Sequence, residues 1–490
     1  MKENELRNKI FNATKWSSLA EVAAKIVSPL TNMVLARIIA PEAFGVVATV
    51  TMITSFADMF TDAGFQKYLV QHEFKNEEEK FKNANVAFIT NFVISIFLWG
   101  IITLFSEQIA VLVGNPGLGS VVAIACIQLP LTAFSSIQMA LYRRDFDFKT
   151  LFWIRMISIF IPVVVTIPLA LLGLSYWSLI IGTLFMQFSN AILLTMKSKW
   201  KPKLFFSIAT LKEMLSFSLW SLIEAVSIWL TTWVDAFIIG SILSEYFLGI
   251  YKTSTTMVNS LMALITASTV PVLFSALSRL QNDSEQFNRT YFNMQRIVSI
   301  LIFPIGIGVY LYSDMATQIL LGDQWSEASQ VIGIWALTSS IMIVFGHFSS
   351  EVYRAKGRPK LSFFAQLLHL IVLIPACIIS SKFGFWALVY TRSWIRMEFV
   401  LVHLIFMKIA IGIPIFKTLK NVYPTAIAAV AMGLLGYILQ KYNGGTTWVF
   451  ISIFICVLFY FGVLFLFPRL RKEISLLTKR LLPKKVKKVI

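Results

Sequence analysis

The stretch Ser17-Ser18-Leu19-Ala20-Glu21-Val22-Ala23-Ala24-Lys25-Ile26-Val27-Ser28-Pro29-Leu30-Thr31-Asn32 decides how the rest of the chain reads. It opens an apolar window long enough to cross a bilayer, yet Ser18, Glu21, Lys25, Ser28 and Asn32 recur within it at spacings of 3, 4, 3 and 4. Those spacings place all five on one face of an α-helix. A charge at the centre of a bilayer helix costs about 2.5–3.5 kcal/mol on insertion scales, so such residues face a bundle interior or an aqueous cavity. A lipid-facing anchor would not carry this face. The stretch reads as the wall of a polar path through a helical bundle.

Working outward, the pattern repeats. Asp58, Asp62, Glu224, Asp235, Lys252, Arg392, Arg396 and Glu398 also lie deep inside apolar spans. Hydrophobic residues make up 57% of the 490 and charged residues only 14%. A soluble domain carries about 25% charged residues, so lipid is the solvent for most of this chain. Apolar windows fall near 16–39, 43–63, 84–106, 119–141, 151–173, 177–196, 215–243, 249–274, 297–313, 328–350, 361–380, 386–406, 421–440 and 447–467. The reading is an all-α polytopic membrane protein of about fourteen transmembrane helices. No removable signal peptide precedes the first span.

The net charge of +18 is distributed in a way that argues against a nucleic-acid partner. Lys and Arg cluster in alternate loops, at Lys67 to Lys82, Arg143 to Lys149, Lys197 to Lys203, Arg354 to Lys360 and the tail from Arg469. Only Lys382 and Lys441 fall in the intervening loops. This positive-inside asymmetry places both termini in the cytoplasm. The Lys408 to Lys420 and Glu473 to Lys488 stretches read equally as inner-leaflet segments or as ordinary basic connectors.

An internal repeat appears at an offset of 204 residues: Trp16-Ser17 matches Trp220-Ser221, Val22 matches Val226, Ile38 matches Ile242, Gly45 matches Gly249, and Thr49 and Thr51 match Thr253 and Thr255. It divides the chain into two parallel six-helix lobes, 1–205 and 206–410, followed by 411–490 with two extra helices and a basic tail. The first two helices of each lobe carry the polar faces, with Thr51, Ser55, Asp58 and Asp62 on the second and Ser221, Glu224, Ser227, Thr231 and Asp235 on the seventh. Transporters built from repeats place their site between the halves. The expectation is a hydrophilic chamber, against the plainer alternative that Glu21–Lys25 is an i,i+4 ion pair and the acids bond neighbouring helices. Arg392, Arg396 and His403 form a further basic face on the twelfth span. That face suits an anionic group, or else an internal salt bridge to Glu398. Arg155 and Arg37 lie near enough to span ends to snorkel.

Catalytic signals are absent. No glycine-rich phosphate loop precedes a helix, the four histidines are scattered, and Cys126, Cys377 and Cys456 match no metal-ligand spacing. No cofactor, metal site or enzymatic activity is expected. Asp145 and Asp147 read as a solvated loop.

Five segments resemble the polysaccharide exporters of the multidrug/oligosaccharidyl-lipid/polysaccharide superfamily, close to teichuronic-acid and colanic-acid exporters. They are Leu35-Ala36-Arg37-Ile38-Ile39-Ala40-Pro41-Glu42-Ala43-Phe44-Gly45, Asp235 with Ile239-Gly240 and Leu248-Gly249-Ile250-Tyr251, Pro271 to Leu280, Leu321-Gly322-Asp323-Gln324-Trp325, and Gly357-Arg358-Pro359. The resemblance implies two lobes in a V, alternating access, and flipping of an undecaprenyl-diphosphate-linked oligosaccharide across a bacterial inner membrane. It implies that Lys25, Lys252, Arg392 and Arg396, with Glu21 and Asn32, contact the substrate. Asp235, Asp58, Asp62 and Glu224 would couple H+ or Na+ or bond sugar hydroxyls. The expected partners are the lipid-linked oligosaccharide, the bilayer and polysaccharide assembly proteins around a monomer. The alternatives are an ion-coupled multidrug antiporter of the same fold and, from the enzyme class, a membrane-embedded polysaccharide polymerase or ligase.

Overall fold

A computed structural model describes residues 3–62, 65–442, 445–468 and 470–471; the side chains at 3–11, 13–14, 18, 62, 216–224, 268 and 271 lie outside that description. The expected membrane-surface segment from Glu473 to Lys488 therefore falls outside the described residues. Those residues form helices joined by turns and short irregular stretches, with no strand among them. In lipid no water satisfies backbone N–H and C=O groups, so an apolar chain must close its hydrogen bonds within each segment.

In chain order the long helices are α1 (Glu3–Ile38), α2 (Pro41–Asp62), α3 (Glu77–Leu104), α4 (Gly119–Arg144), α5 (Phe148–Leu171), α6 (Tyr176–Lys197), α7 (Ile208–Ile242) and α8 (Glu245–Arg279). They continue as α9 (Ser284–Leu311), α10 (Ala328–Ala355), α11 (Lys360–Ser381), α12 (Phe385–Trp394), α13 (Arg396–Phe406), α14 (Ile415–Leu439) and α15 (Gly445–Phe465). Among the described residues twelve helices are long and apolar enough to cross a membrane, or thirteen if the bent α8 is one span. The expected number was about fourteen. The difference lies at window 386–406, whose three charged residues Arg392, Arg396 and Glu398 make it too polar to be included in that number, although Phe385–Trp394 and Arg396–Phe406 are both helical. The bend in α8, 41°, falls between Ala267 and Val272, the stretch that carries Pro271. A proline there removes a backbone hydrogen bond and permits the bend.

Loop chemistry marks where the spans begin. Asn76 accepts from the Glu79 N–H at 2.8 Å, and Asp283 from the Gln286 N–H at 2.9 Å, capping α3 and α9. Asp147 likewise accepts from the Thr150 N–H at 3.1 Å, and Asp145 lies 3.4 Å from Lys80. The Asp145/Asp147 pair thus consists of an ion-pair partner and a helix cap.

The described residues gather into two compact units. One is drawn from Met1–Ser260, Thr317–Val331 and Gln366–Ile395, the other from Leu261–Ala316, Ile332–Ala365 and Arg396–Ile490. Within the first unit the repeat has a geometric counterpart. A Cβ on Gly45 would sit 1.8 Å from the Glu245 carbonyl oxygen, and one on Gly249 would sit 1.9 Å from the Pro41 carbonyl oxygen. Gly249 is Gly45 advanced by 204 positions, and Glu245 is Pro41 advanced by the same number. The two contacts are one contact made twice, as a twofold relation between copies requires. Nearby, the last carbonyls of α1, which lack partners within their own helix, are taken up from the Thr317–Val331 segment. Trp325 Nε1 donates to the Ala36 carbonyl at 2.7 Å, Gln324 Nε2 donates to the Ile39 carbonyl at 3.2 Å, and Arg37 donates back to the Ile319 carbonyl at 2.9 Å.

This reciprocity is testable. Gly45→Ala and Gly249→Ala each place a methyl where only backbone fits, and overpacking of that kind costs about 1–3 kcal/mol. Thermal unfolding of the detergent-purified protein should show both variants melting lower by similar amounts. Gly100→Ala, where a Cβ meets nothing within 4 Å, should melt like wild type. Unchanged melting of both repeat variants would contradict the contact.

Candidate functional site

The first polar stretch builds a cavity within the first unit. Its volume is about 580 Å³, and its polar lining includes Glu21, Ser28 and Asn32 of α1, Arg143 of α4, Arg155 of α5 and Asn190 of α6. The helical spacing of the sequence explains three of those positions. Thr31, one residue from the stripe, joins them by donating its hydroxyl to the Val27 carbonyl at 3.0 Å. Glu21 finds its cation on another helix: Arg155 Nη2 stands 3.9 Å from Glu21 Oε1. Lys25 is half-buried and lies outside this lining, and Ser18 lies outside the described side chains. Arg155, read from sequence as a snorkelling residue, sits in the cavity wall. Its signal was available, because Arg155 and Ser158 share a face of α5 at a spacing of three. Ser158 donates to the Asn190 side-chain oxygen, which ties the α5 and α6 walls together.

A second constellation joins α7, α8, α11 and α12 in the same unit. Arg392 Nε donates to Asp235 Oδ2 at 2.6 Å, and the Tyr251 hydroxyl donates to the same oxygen at 2.7 Å. Arg392, Asp235 and Tyr251 are all buried. Arg392 also donates to the Thr231 carbonyl at 3.3 Å, and Gln366 donates to the Thr231 hydroxyl at 2.6 Å. Lys252 is half-buried with its ammonium 3.8 Å from the Trp233 ring centre, a cation–π contact. The expected alternative partner of Arg392 was Glu398; the structure gives it Asp235, 157 residues away in sequence. A charge-assisted pair with bonds to both partners is how a membrane interior accommodates two ions.

The basic face expected on the twelfth span divides at Ile395. Arg396 belongs to the second unit, where it donates to Ser339 at 2.8 Å and lies over the Trp335 ring at 4.2 Å. His403 is buried against Tyr353, whose hydroxyl stands 3.2 Å from His403 Nδ1. Arg396 thus bonds Ser339 and His403 meets Tyr353, whereas Arg392 pairs with Asp235. Asp58 is half-buried on α2, one turn beyond Ser55, whose hydroxyl accepts from Trp229 of α7 at 3.0 Å. The side chains of Asp62 and Glu224 lie outside the described residues. The Trp335, Gln366 and Tyr353 partners were not foreseen, since single aromatic or amide residues in apolar helices carry no pattern; Tyr251 shares a family-like segment with Asp235, though not as its partner.

A polytopic bundle with a polar cavity and buried, paired charges is the architecture of a membrane transporter. Residues 34–330 match the model of the family described as polysaccharide biosynthesis protein, and this chain belongs to that family. It is 25% identical over 67% of its length to the succinoglycan biosynthesis transport protein ExoT of Rhizobium meliloti, a match that spans 65% of that protein. It is 21% identical to the lipopolysaccharide biosynthesis protein WzxC of Escherichia coli, over 88% of this chain and 89% of the other. Among solved structures its fold is similar to that of the lipid II flippase MurJ, with a TM-score of 0.74 and 18% identity over 92% of this chain and 98% of that one. The fold class read from sequence, an all-helical multi-pass membrane protein, stands.

Removing one member of the buried pair strands the other. Arg392→Ala should cost about 3–5 kcal/mol by leaving the Asp235 carboxylate without its cation. Asp235→Ala combined with Arg392→Ala should recover a large part of that loss. Thermal melts of the three variants form the cycle that checks the coupling. Additive losses would contradict a direct pair.

Proposed function

We propose that this chain is a flippase that moves an undecaprenyl-diphosphate-linked oligosaccharide from the cytoplasmic to the outer face of a bacterial inner membrane. The observation that carries the proposal is the cavity of α1, α4, α5 and α6, where Arg143 and Arg155 share a wall with Ser28, Asn32 and Asn190. Guanidinium groups suit a diphosphate because they form paired, charge-assisted hydrogen bonds. Amides and hydroxyls suit sugar hydroxyls, with which they exchange hydrogen bonds in both directions. The names of the relatives and family membership support the same substrate class.

In this reading the protein performs no covalent chemistry and works by alternating access between the two six-helix lobes, 1–205 and 206–410. Both termini are cytoplasmic, following the distribution of Lys and Arg. Lys25, Lys252 and Arg396 contribute further positive charge along the substrate path, and Glu21 sets the orientation of Arg155. Transport draws on an ion gradient or the membrane potential. Asp235 is the leading coupling residue: a proton or Na+ can act there by competing with Arg392 for Oδ2. Asp58, Asp62 and Glu224 are the remaining acidic candidates. The protein works as a monomer alongside polysaccharide assembly proteins.

The test is genetic and chemical together. Deleting the gene should make radiolabelled lipid-linked oligosaccharide accumulate inside the cell, and wild-type protein should restore export. Arg155→Ala and Lys25→Ala should each lower export at least about tenfold, the factor that corresponds to roughly 1.4 kcal/mol of lost binding. Membrane abundance should stay near normal. Full export by Arg155→Ala would remove the cavity from the substrate path, and absence of accumulation in the deletion would remove the function.

A further inference from the structure

The second unit holds a basic cavity of its own. Its volume is about 750 Å³, and it lies among the start of α9, the start of α14 and the end of α15. Among the described residues Arg289, Arg296, Lys417 and Lys420 line it, with one carboxylate, that of Glu285. We propose that this cavity binds the phosphate headgroup of an anionic membrane lipid.

Three observations carry the assignment. The first is depth. The apolar run of α9 begins just after Arg296, that of α14 just after Lys420, and that of α15 ends at Phe467. The cavity therefore lies at the rim of three apolar segments, the level at which lipid headgroups reside.

The second is construction. Arg296 is 2% exposed and is fixed by Asn421 Oδ1 at 2.7 Å and Asn293 Oδ1 at 2.8 Å. Asn421 is held in turn, donating to the Phe292 carbonyl at 2.8 Å and to Gln295 Oε1 at 3.0 Å. Below this floor the Ser299 and Thr425 hydroxyls bond at 2.8 Å, and the Tyr460 hydroxyl donates to the Ile300 carbonyl at 2.8 Å. The guanidinium is thus held at the cavity wall, while Arg289, Lys417 and Lys420 are exposed, Lys417 with its ammonium 5.3 Å from the Phe292 ring centre.

The third is the surround. Phe416 and Leu466, which flank the lining, are 76% and 77% exposed, and Tyr423 is 47% exposed with its ring 6.3 Å from that of Phe467. Exposed apolar groups beside a basic cavity suit acyl chains. A free phosphate would have no use for them. Basic pockets between transmembrane helices are a recognised way of holding anionic headgroups, and each Lys or Arg near the surface strengthens attraction to such lipids.

The experiment uses the full chain, purified in detergent and stripped of lipid. Binding of dioleoylphosphatidylglycerol, dioleoylphosphatidylcholine and inorganic phosphate is measured by native mass spectrometry. The Arg289→Gln, Lys417→Gln, Lys420→Gln triple variant, whose three sites are exposed, is measured in parallel, with circular dichroism confirming its helicity. Wild type should bind phosphatidylglycerol saturably, and the variant about a hundredfold more weakly, roughly fivefold for each charge removed. Phosphatidylcholine should bind weakly to both, and excess inorganic phosphate should not displace the lipid. Equal phosphatidylglycerol binding by wild type and variant would overturn the proposal, as would phosphatidylcholine binding as tight as phosphatidylglycerol. Displacement by inorganic phosphate would assign the cavity to a soluble phosphate and overturn the lipid.

Discussion

A bilayer supplies no hydrogen bonds, and everything in this structure answers to that constraint. Backbone groups close on themselves within helices, and the carbonyls that a helix end leaves over must be met by another segment. Trp325 and Gln324 meet those of α1. Ionic side chains must be met as well, and the buried Asp235–Arg392 pair at 2.6 Å, with Tyr251 on the same carboxylate, is the fullest case. Four elements, α7, α8, α11 and α12, are tied through that one constellation.

The constraint divides the polar residues into two kinds. Some are satisfied inside the protein: Arg392 by Asp235, and Arg396 by Ser339 and Trp335. Others face space. Glu21 and Arg155, 3.9 Å apart and each more than half exposed, line a cavity rather than a packed core. An ion pair so exposed contributes little to stability, about 0–1 kcal/mol. Its retention on a membrane helix is better explained by what occupies the cavity than by what holds the helices together.

Much of this was legible in the residues. Hydropathy placed the helices, because in lipid an apolar run of twenty residues has no other stable conformation. The 3, 4, 3, 4 spacing placed Glu21, Ser28 and Asn32 on one wall. The offset of 204 paired Gly45 with Gly249, but that each meets backbone of the other copy, at Glu245 and Pro41, was not legible. Tertiary pairing was not legible. Nothing local links Asp235 to Arg392 across 157 residues, and Arg155 looked like a snorkelling side chain until α1 was packed against it. Arg392 and Arg396, four residues apart, take different partners, Asp235 for one and Ser339 with Trp335 for the other, and their spacing announces neither. Periodicity reads a face, not the partner that each residue on it meets.

The central claim is that this bundle carries a lipid-linked oligosaccharide across the membrane, and reconstitution tests it most directly. Purified protein in liposomes should move a fluorescent undecaprenyl-diphosphate oligosaccharide to the face where an impermeant quencher reaches it. The rate should exceed that of protein-free liposomes and should respond to an imposed H+ or Na+ gradient. Movement no faster than in protein-free liposomes, with the protein folded and inserted, would contradict the account.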